Sequence, residues 1–359
     1  MPDRALRVHV LALHQCAPIV PIGMLDLLRK SIELAATLPV SRPRRAIELS
    51  LIAGGTKRDV VCSNGLVVRA DRTLADAGPA DLVVVPALDP DIVTRLAQNA
   101  AVVAWLRRMF ARGADVASAC TGAFLLGEAG LLDGRTATTH WAFQSLLQMR
   151  YPKVVLAPQA VLADQGRVIT AGGATSFINL ALVLVERLLG PDVAWAASKF
   201  FLIDPNKSPQ GAYAAFSTQK DHGDTAILRA QELVERDVQH APSVDELAHM
   251  VALSPRTFSR RFLEATGNTA RDYIQRVRIE AAKRALERGD AVASVAYRVG
   301  YGDAAAFRKL FSRLAGLTPA DYRARYGPKA APAWAITGTA RNAKTMSLAR
   351  RAPRRAHRS

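Results

Sequence analysis

Phe258-Ser259-Arg260-Arg261-Phe262 returns as Phe307-Arg308-Lys309-Leu310-Phe311, and the same tail follows each copy. Gly267, Thr269, Asp272 and Tyr273 reappear as Gly316, Thr318, Asp321 and Tyr322, each 49 positions later. A shared offset of this kind marks an internal repeat. Each copy reads as a helix, a tight turn and a second helix. In the first, Val244, Leu247, Ala248 and Val251 recur at helical spacing behind the N-cap Ser243, Leu253-Ser254-Pro255 breaks the pattern, and Phe258 and Phe262 resume it four apart. In the second, Val292, Val295, Ala296 and Val299 precede a turn at Gly300-Tyr301-Gly302-Asp303, one residue longer, before Phe307 and Phe311.

With the phenylalanines turned to the core, Arg256, Thr257, Ser259 and Arg260 face outward in the first copy, and Ala304, Ala305, Arg308 and Lys309 in the second. This is the layout of a helix-turn-helix, whose second helix enters the major groove. Between the copies, Ala270 to Glu287 reads as one helix; eighteen residues at ~1.5 Å each give roughly 27 Å, close to the ~34 Å repeat of B-DNA. Two reading helices held by such a spacer can occupy successive major grooves on one face of a duplex.

Residues 225–327 resemble the AraC/XylS DNA-binding domain. The resemblance is carried by Leu253-Ser254-Pro255-Arg256-Thr257-Phe258-Ser259-Arg260-Arg261-Phe262 and by Val299-Gly300-Tyr301, Phe307-Arg308-Lys309-Leu310-Phe311 and Gly316-Leu317-Thr318-Pro319-Ala320-Asp321-Tyr322-Arg323. It implies double-stranded DNA and RNA polymerase as partners. The second reading helix departs from the pattern, with Ala304-Ala305-Ala306 where polar base-reading residues are common, so phosphate contacts are expected there.

At 359 residues the chain is longer than one domain usually is. Its net charge of +17 is unevenly spread: residues 1–200 carry 21 basic and 16 acidic side chains, 201–327 carry 19 and 15, and 328–359 carry 8 and none. Nearly half the excess therefore sits in the tail. Within 256–313, however, 13 basic residues face 6 acidic ones, a local concentration that supports DNA binding better than the total does. Cys16, Cys62 and Cys120 are too few and too scattered for a disulfide framework or a zinc site, and a reducing cytoplasm is expected. No metal or cofactor is expected. No apolar run approaches the ~18 residues of a membrane span, and the N-terminus lacks a cleavage pattern, so neither export nor membrane insertion is expected.

The first two hundred residues alternate short apolar runs with helical patterns. Strands are expected over 6–13, 47–53, 66–70, 81–85, 115–119 and 168–170, and helices over 24–37, 92–112, 123–129 and 175–189, with closure at Gly190-Pro191. Such alternation predicts an α/β fold with a largely parallel sheet. Cys120 sits between the strand Asp115-Val116-Ala117-Ser118-Ala119 and a helix opening at Thr121-Gly122-Ala123. A residue at so sharp a turn projects above the carboxyl edge of the sheet, where a helix N-terminus can lower a thiol pKa, the geometry of a nucleophile elbow. His140 is the expected base or hydrogen-bond partner. Gly172-Gly173 lacks the spacing of a dinucleotide or P-loop motif and reads as a sharp turn.

The stretch Ser118-Ala119-Cys120-Thr121-Gly122-Ala123-Phe124-Leu125-Leu126-Gly127-Glu128-Ala129-Gly130, followed by Ala137-Thr138-Thr139-His140-Trp141, is similar to the PfpI-type, class I glutamine-amidotransferase-like fold, which includes isocyanide hydratases. Fused ahead of an AraC module this fold defines the GlxA-type regulators. The resemblance implies a flavodoxin-like α/β domain, mostly parallel sheet flanked by helices, followed by an all-α double helix-turn-helix domain. It also implies an activator, a homodimer and a small nitrogenous effector, an amino acid or quaternary amine, bound at Cys120, Thr121, Gly122 and His140. Enzymes of this fold place a carboxylate just after the first strand. Here Cys16-Ala17-Pro18-Ile19-Val20-Pro21-Ile22-Gly23 offers none, Val20 taking the place, and Asp26 falls on a later helical surface. A regulator is therefore expected rather than an enzyme. The alternative is a Cys120-dependent hydrolase or hydratase with accessory DNA binding.

The expected organisation is a sensor domain over 1–203, a linker over 204–224, the DNA-binding domain over 225–327 and a disordered basic tail over 328–359 that adds salt-sensitive phosphate attraction.

Overall fold

The computed structural model describes residues 4–38, 45–88, 90–204, 209–216 and 218–328. All of the expected tail except Pro328 lies outside the described residues.

The first part runs β1 (Leu6–Ala12), α1 (Ile19–Thr37), β2 (Ile47–Ala53), β3 (Asp59–Val61), β4 (Val67–Arg69), β5 (Arg72–Thr73), β6 (Leu82–Val85), α2 (Ile92–Gln98), α3 (Ala100–Ala111), β7 (Asp115–Ala119), α4 (Ala123–Glu128), β8 (Thr136–Ala137), α5 (Gln144–Arg150), β9 (Val155–Leu156), β10 (Leu162–Gln165), β11 (Val168–Ala171), α6 (Phe177–Leu189) and α7 (Pro191–Phe200). Seven strands form one sheet in the order β10-β11-β7-β6-β1-β2-β5, parallel except for the β10–β11 pair at its edge. Every residue of Leu82-Val83-Val84-Val85 is buried, as a strand covered on both faces requires. The α/β reading and its parallel sheet are thus realised.

Three local expectations are corrected. The helix expected over 92–112 is two helices, because Asn99 leaves helical geometry (φ −107°, ψ 23°) and its Nδ2 donates to the Arg95 carbonyl at 2.8 Å. Helix α1 begins at Ile19 rather than at 24; Pro21 falls in its first turn, where a missing N–H costs nothing. Gly190-Pro191 does not close the unit, since Pro191 opens α7, whose Val193 and Ala197 join the core. The antiparallel edge strand β10 was not expected.

The second part is helical: α8 (Thr225–Arg236), α9 (Val244–Met250), α10 (Pro255–Thr266), α11 (Ala270–Glu287), α12 (Val292–Arg298), α13 (Ala304–Ala315) and α14 (Pro319–Tyr326). The repeat has two cores. Phe258, Phe262 and Tyr273 pack with Ile227 and Val234 of α8; Phe307, Phe311 and Tyr322 pack with Ile279, Leu286 and Val295. Helix α11 spans the residues read as a spacer and is a wall of both cores, with Tyr273 and Val277 in one and Ile279, Ala282 and Leu286 in the other.

Candidate functional site

The tight turn of the first unit is made by Ala252 at φ 55° and that of the second by Gly300 at φ 82°. Behind each turn a capped helix begins. The Ser254 hydroxyl accepts from Thr257 N (3.2 Å) and donates to Thr257 Oγ1 (2.9 Å), while Asp303 accepts from Ala305 N (2.8 Å) and Ala306 N (3.3 Å). Arg256, Ser259, Arg260, Ala304, Ala305, Arg308 and Lys309 are exposed, as the helical spacing predicts. Thr257 is partly exposed, and its hydroxyl accepts from that of Ser254.

Arg260 pairs with Glu264 at 3.0 Å one turn on, both side chains well exposed. Such a pair is worth ~0.3–0.5 kcal/mol, little enough for a phosphate or a base edge to displace it. Arg261, by contrast, makes a two-pronged contact with Asp224, Nε to Oδ2 at 2.8 Å and Nη2 to Oδ1 at 2.7 Å. Asp224 is also the N-cap of α8, and its bond to Arg261 holds its carboxyl below the usual carboxylate range. Arg261 is thus a structural arginine that fixes α10 against α8, a role invisible in the motif because Asp224 lies 37 residues away.

At the sheet edge, Cys120 leaves β7 with φ 55°, a left-handed conformation that is strained for a side chain larger than glycine. A short 3-10 turn over Cys120–Gly122 then leads into α4. Gly122 is required: a Cβ there would stand 2.6 Å from the Pro86 carbonyl and 2.9 Å from that of Val85. Thr121 Oγ1 locks the elbow to the loop behind β6, accepting from Leu88 N and donating to Leu88 O, both at 2.8 Å. Thr139 Oγ1 donates to the Cys120 carbonyl at 2.9 Å.

The electrostatics differ from expectation. Cys120 is buried, and loss of hydration pushes its thiol above its ordinary range, outweighing the hydrogen bonds Thr121 offers to a thiolate. Burial thus opposes the activation expected from the helix N-terminus. His140 is held below its usual range by burial, and its Nδ1 accepts from Ala142 N at 3.2 Å, which assigns the proton of the neutral ring to Nε2. Among the described residues no hydrogen bond joins the Cys120 and His140 side chains; Thr139, next to His140 in the chain, is bonded to the Cys120 carbonyl. Val20 is buried in the first turn of α1, and Asp26 is exposed on the same helix. The elbow is a neutral, hydrogen-bonding site.

Two buried polar residues carried no motif signal. Gln210, in the segment read as linker, is 3% exposed, and Lys283 of α11 is 4% exposed. Gln210 donates into the first part and Lys283 holds the backbone around it, so both join the halves of the molecule. A cleft of about 450 Å³ opens beside them, lined by Trp141, Gln144 and Gln159 on one side and Asp272, Arg276 and Arg313 on the other. Among the described residues no cluster of His, Cys, Asp and Glu suits a metal ion, and no helix is long and apolar enough to cross a membrane.

Comparison with known proteins agrees with both halves. The DJ-1/PfpI family matches residues 28–187 and a helix-turn-helix domain matches residues 247–325. The HTH-type transcriptional regulator GlxA of Rhizobium meliloti is 29% identical over 297 residues, 82% of this chain and 89% of that protein. The HTH-type transcriptional regulator CdhR of Pseudomonas aeruginosa is 28% identical over 270 residues, 74% of this chain and 78% of its own length. Isonitrile hydratase of Pseudomonas putida is 36% identical over 137 residues, 38% of this chain and 57% of that protein. The chain thus carries a DJ-1/PfpI domain ahead of an AraC-type helix-turn-helix domain and is homologous over most of its length to the transcriptional regulators GlxA and CdhR.

Proposed function

We propose that the chain is a sequence-specific activator that reads DNA with both helix faces of the repeat and responds to a small nitrogenous metabolite held at the elbow. The observation that carries this reading is the pair of exposed, N-capped helices, each with its basic residues outward, fixed on one buried rod. Arg256, Ser259 and Arg260 face the groove from α10; Arg308 and Lys309, beside the bare Ala304 and Ala305, grip phosphates from α13. Cys120, Thr121, Gly122 and His140 form the effector site, where a neutral thiol and a neutral imidazole suit hydrogen bonding to a polar ligand. The effector class, the activating direction and the contact with RNA polymerase rest on the family resemblance. The homodimer likewise rests on the family resemblance, with Trp195, Phe200 and Leu202 as exposed apolar side chains available to it.

The test is selection of genomic fragments by the purified chain, followed by titration of the enriched fragment against random competitor. One fragment class is expected to survive competition at moderate salt, and uniform binding to all sequences would refute the proposal. Arg260→Ala is expected to weaken that binding by about 1–3 kcal/mol and to relax the preference at one base pair.

The similarity to isonitrile hydratase favours a second reading, a hydrolase or hydratase using Cys120. The raised thiol opposes it, because the thiolate is the nucleophile. Alkylation of Cys120 is expected to accelerate only above the ordinary thiol range; a fast rate at neutral pH would revive the enzyme.

A further inference from the structure

A continuous set of hydrogen bonds runs from the elbow to the second reading helix. The Cys120 carbonyl accepts from Thr139 Oγ1 at 2.9 Å, and the Thr139 carbonyl in turn accepts from Gln210 Nε2 at 3.1 Å. The same amide nitrogen reaches Thr138 Oγ1 at 2.9 Å and the Ala160 carbonyl at 2.8 Å. Its seat exists because residue 172 is glycine; a Cβ there would stand 2.1 Å from Gln210 Nε2.

The next residue carries the connection outward. Gly211 N donates to Gln159 Oε1 at 3.0 Å, and Gln159 Nε2 donates to the carbonyls of Arg313 (3.0 Å) and Leu314 (3.1 Å). Those two belong to the last turn of α13, where carbonyls have no helical N–H to accept from. From the opposite side, Lys283 Nζ donates to the carbonyls of Gly211 (3.0 Å) and Ala214 (2.7 Å) and to Glu280 Oε1 (2.9 Å). A buried ammonium is costly unless such partners surround it, so the segment and α11 hold each other in place. Packing leaves no slack, since a Cβ on Gly211 would meet the Leu314 carbonyl at 2.4 Å.

We propose that Gln159, Gln210 and Lys283 are positioning residues that couple the Cys120 elbow to the orientation of α13. The inference rests on the DNA-binding reading above and assigns its regulation to one junction. A ligand that moves Thr139 changes the seat of Gln210, and through Gln159 the end of the helix that meets DNA. Thermodynamic linkage makes the coupling reciprocal, so DNA on α13 must change the elbow.

The test needs no effector. Full-length protein is treated with iodoacetamide, with and without a saturating selected DNA fragment, and Cys120 labelling is followed by peptide mass spectrometry while anisotropy records DNA binding in the same samples. DNA is expected to change the Cys120 rate at least about fivefold in the unaltered chain and by less than about twofold in Gln210→Ala, Gln159→Ala and Lys283→Met. Gln159→Ala is included because it removes three bonds of a half-buried side chain without opening the core, should the buried variants fail to fold. An unchanged rate with DNA bound would overturn the coupling, as would a full response that persists in Gln159→Ala. A chain that bound no fragment would instead overturn the DNA-binding reading and this inference with it.

Discussion

Ala252 and Gly300 occupy equivalent places in the repeat, and both take positive φ. An alanine in the left-handed region costs ~1–2 kcal/mol, partly offset in any glycine variant by the larger entropy of its unfolded chain. Ala252→Gly is therefore expected to stabilise the protein by about 0.5 kcal/mol in urea denaturation. Gly300→Ala is expected to cost about 2 kcal/mol or more, because its Cβ would stand 2.5 Å from the Gln239 carbonyl and 2.8 Å from Arg278 Nη2. His9 makes a second prediction at this scale. It is 2% exposed in β1, its ring 6.3 Å from Trp105, and neither ring nitrogen makes a hydrogen bond of good geometry. Burial holds its imidazole below 6.5, and Arg72 and Arg7 push the same way against the carbonyls of Pro79 and Ala77. The unfolded chain thus takes up a proton near pH 6.5 that the folded chain refuses, so the contribution of His9 to stability is level above that pH and falls below it. His9→Met is expected to flatten the loss measured between about pH 7 and about pH 5.5.

Among the elements, the repeat is carried by an aromatic trio and a cap in each copy. Phe262 meets Tyr273 edge-on at 5.3 Å and Phe311 meets Tyr322 at 5.4 Å; the two tyrosine hydroxyls donate to Glu235 (2.6 Å) and Glu287 (2.7 Å). Thr269 Oγ1 accepts from Asp272 N, and Thr318 Oγ1 from Asp321 N, both at 3.1 Å. Thr269→Ala and Thr318→Ala are each expected to lose ~1 kcal/mol, read as a shift in the urea midpoint. Phe262→Ala is expected to lose ~3–5 kcal/mol. Because α11 walls both cores, that variant is also expected to lower amide protection in α13; unaltered exchange there would show that the units unfold separately.

For the whole molecule, the relevant charge is local. Arg256 and Lys309 are exposed and form no ion pair among the described residues. Each one changed to alanine is expected to weaken binding evenly across sequences and to reduce the slope of log affinity against log salt by about 1. The basic tail read over 328–359 belongs to the same test, since deleting it is expected to reduce that slope without changing which fragment is preferred.

The repeat, the capped reading helices, the α/β alternation and the elbow at Cys120 were legible in the sequence alone. Each is written in neighbours a few positions apart, where helical or strand periodicity and capping chemistry act. Tertiary structure decided the rest, because it sets hydration and brings together partners far apart in the chain. It buried Cys120 and so raised a thiol that its place before a helix predicts to be lowered. It let Asn99 take a carbonyl and split one helix into two. It seated Gln210 against Thr138 and Lys283 against Gly211, each 72 positions away, and so turned a stretch without periodicity into the joint between two folded halves.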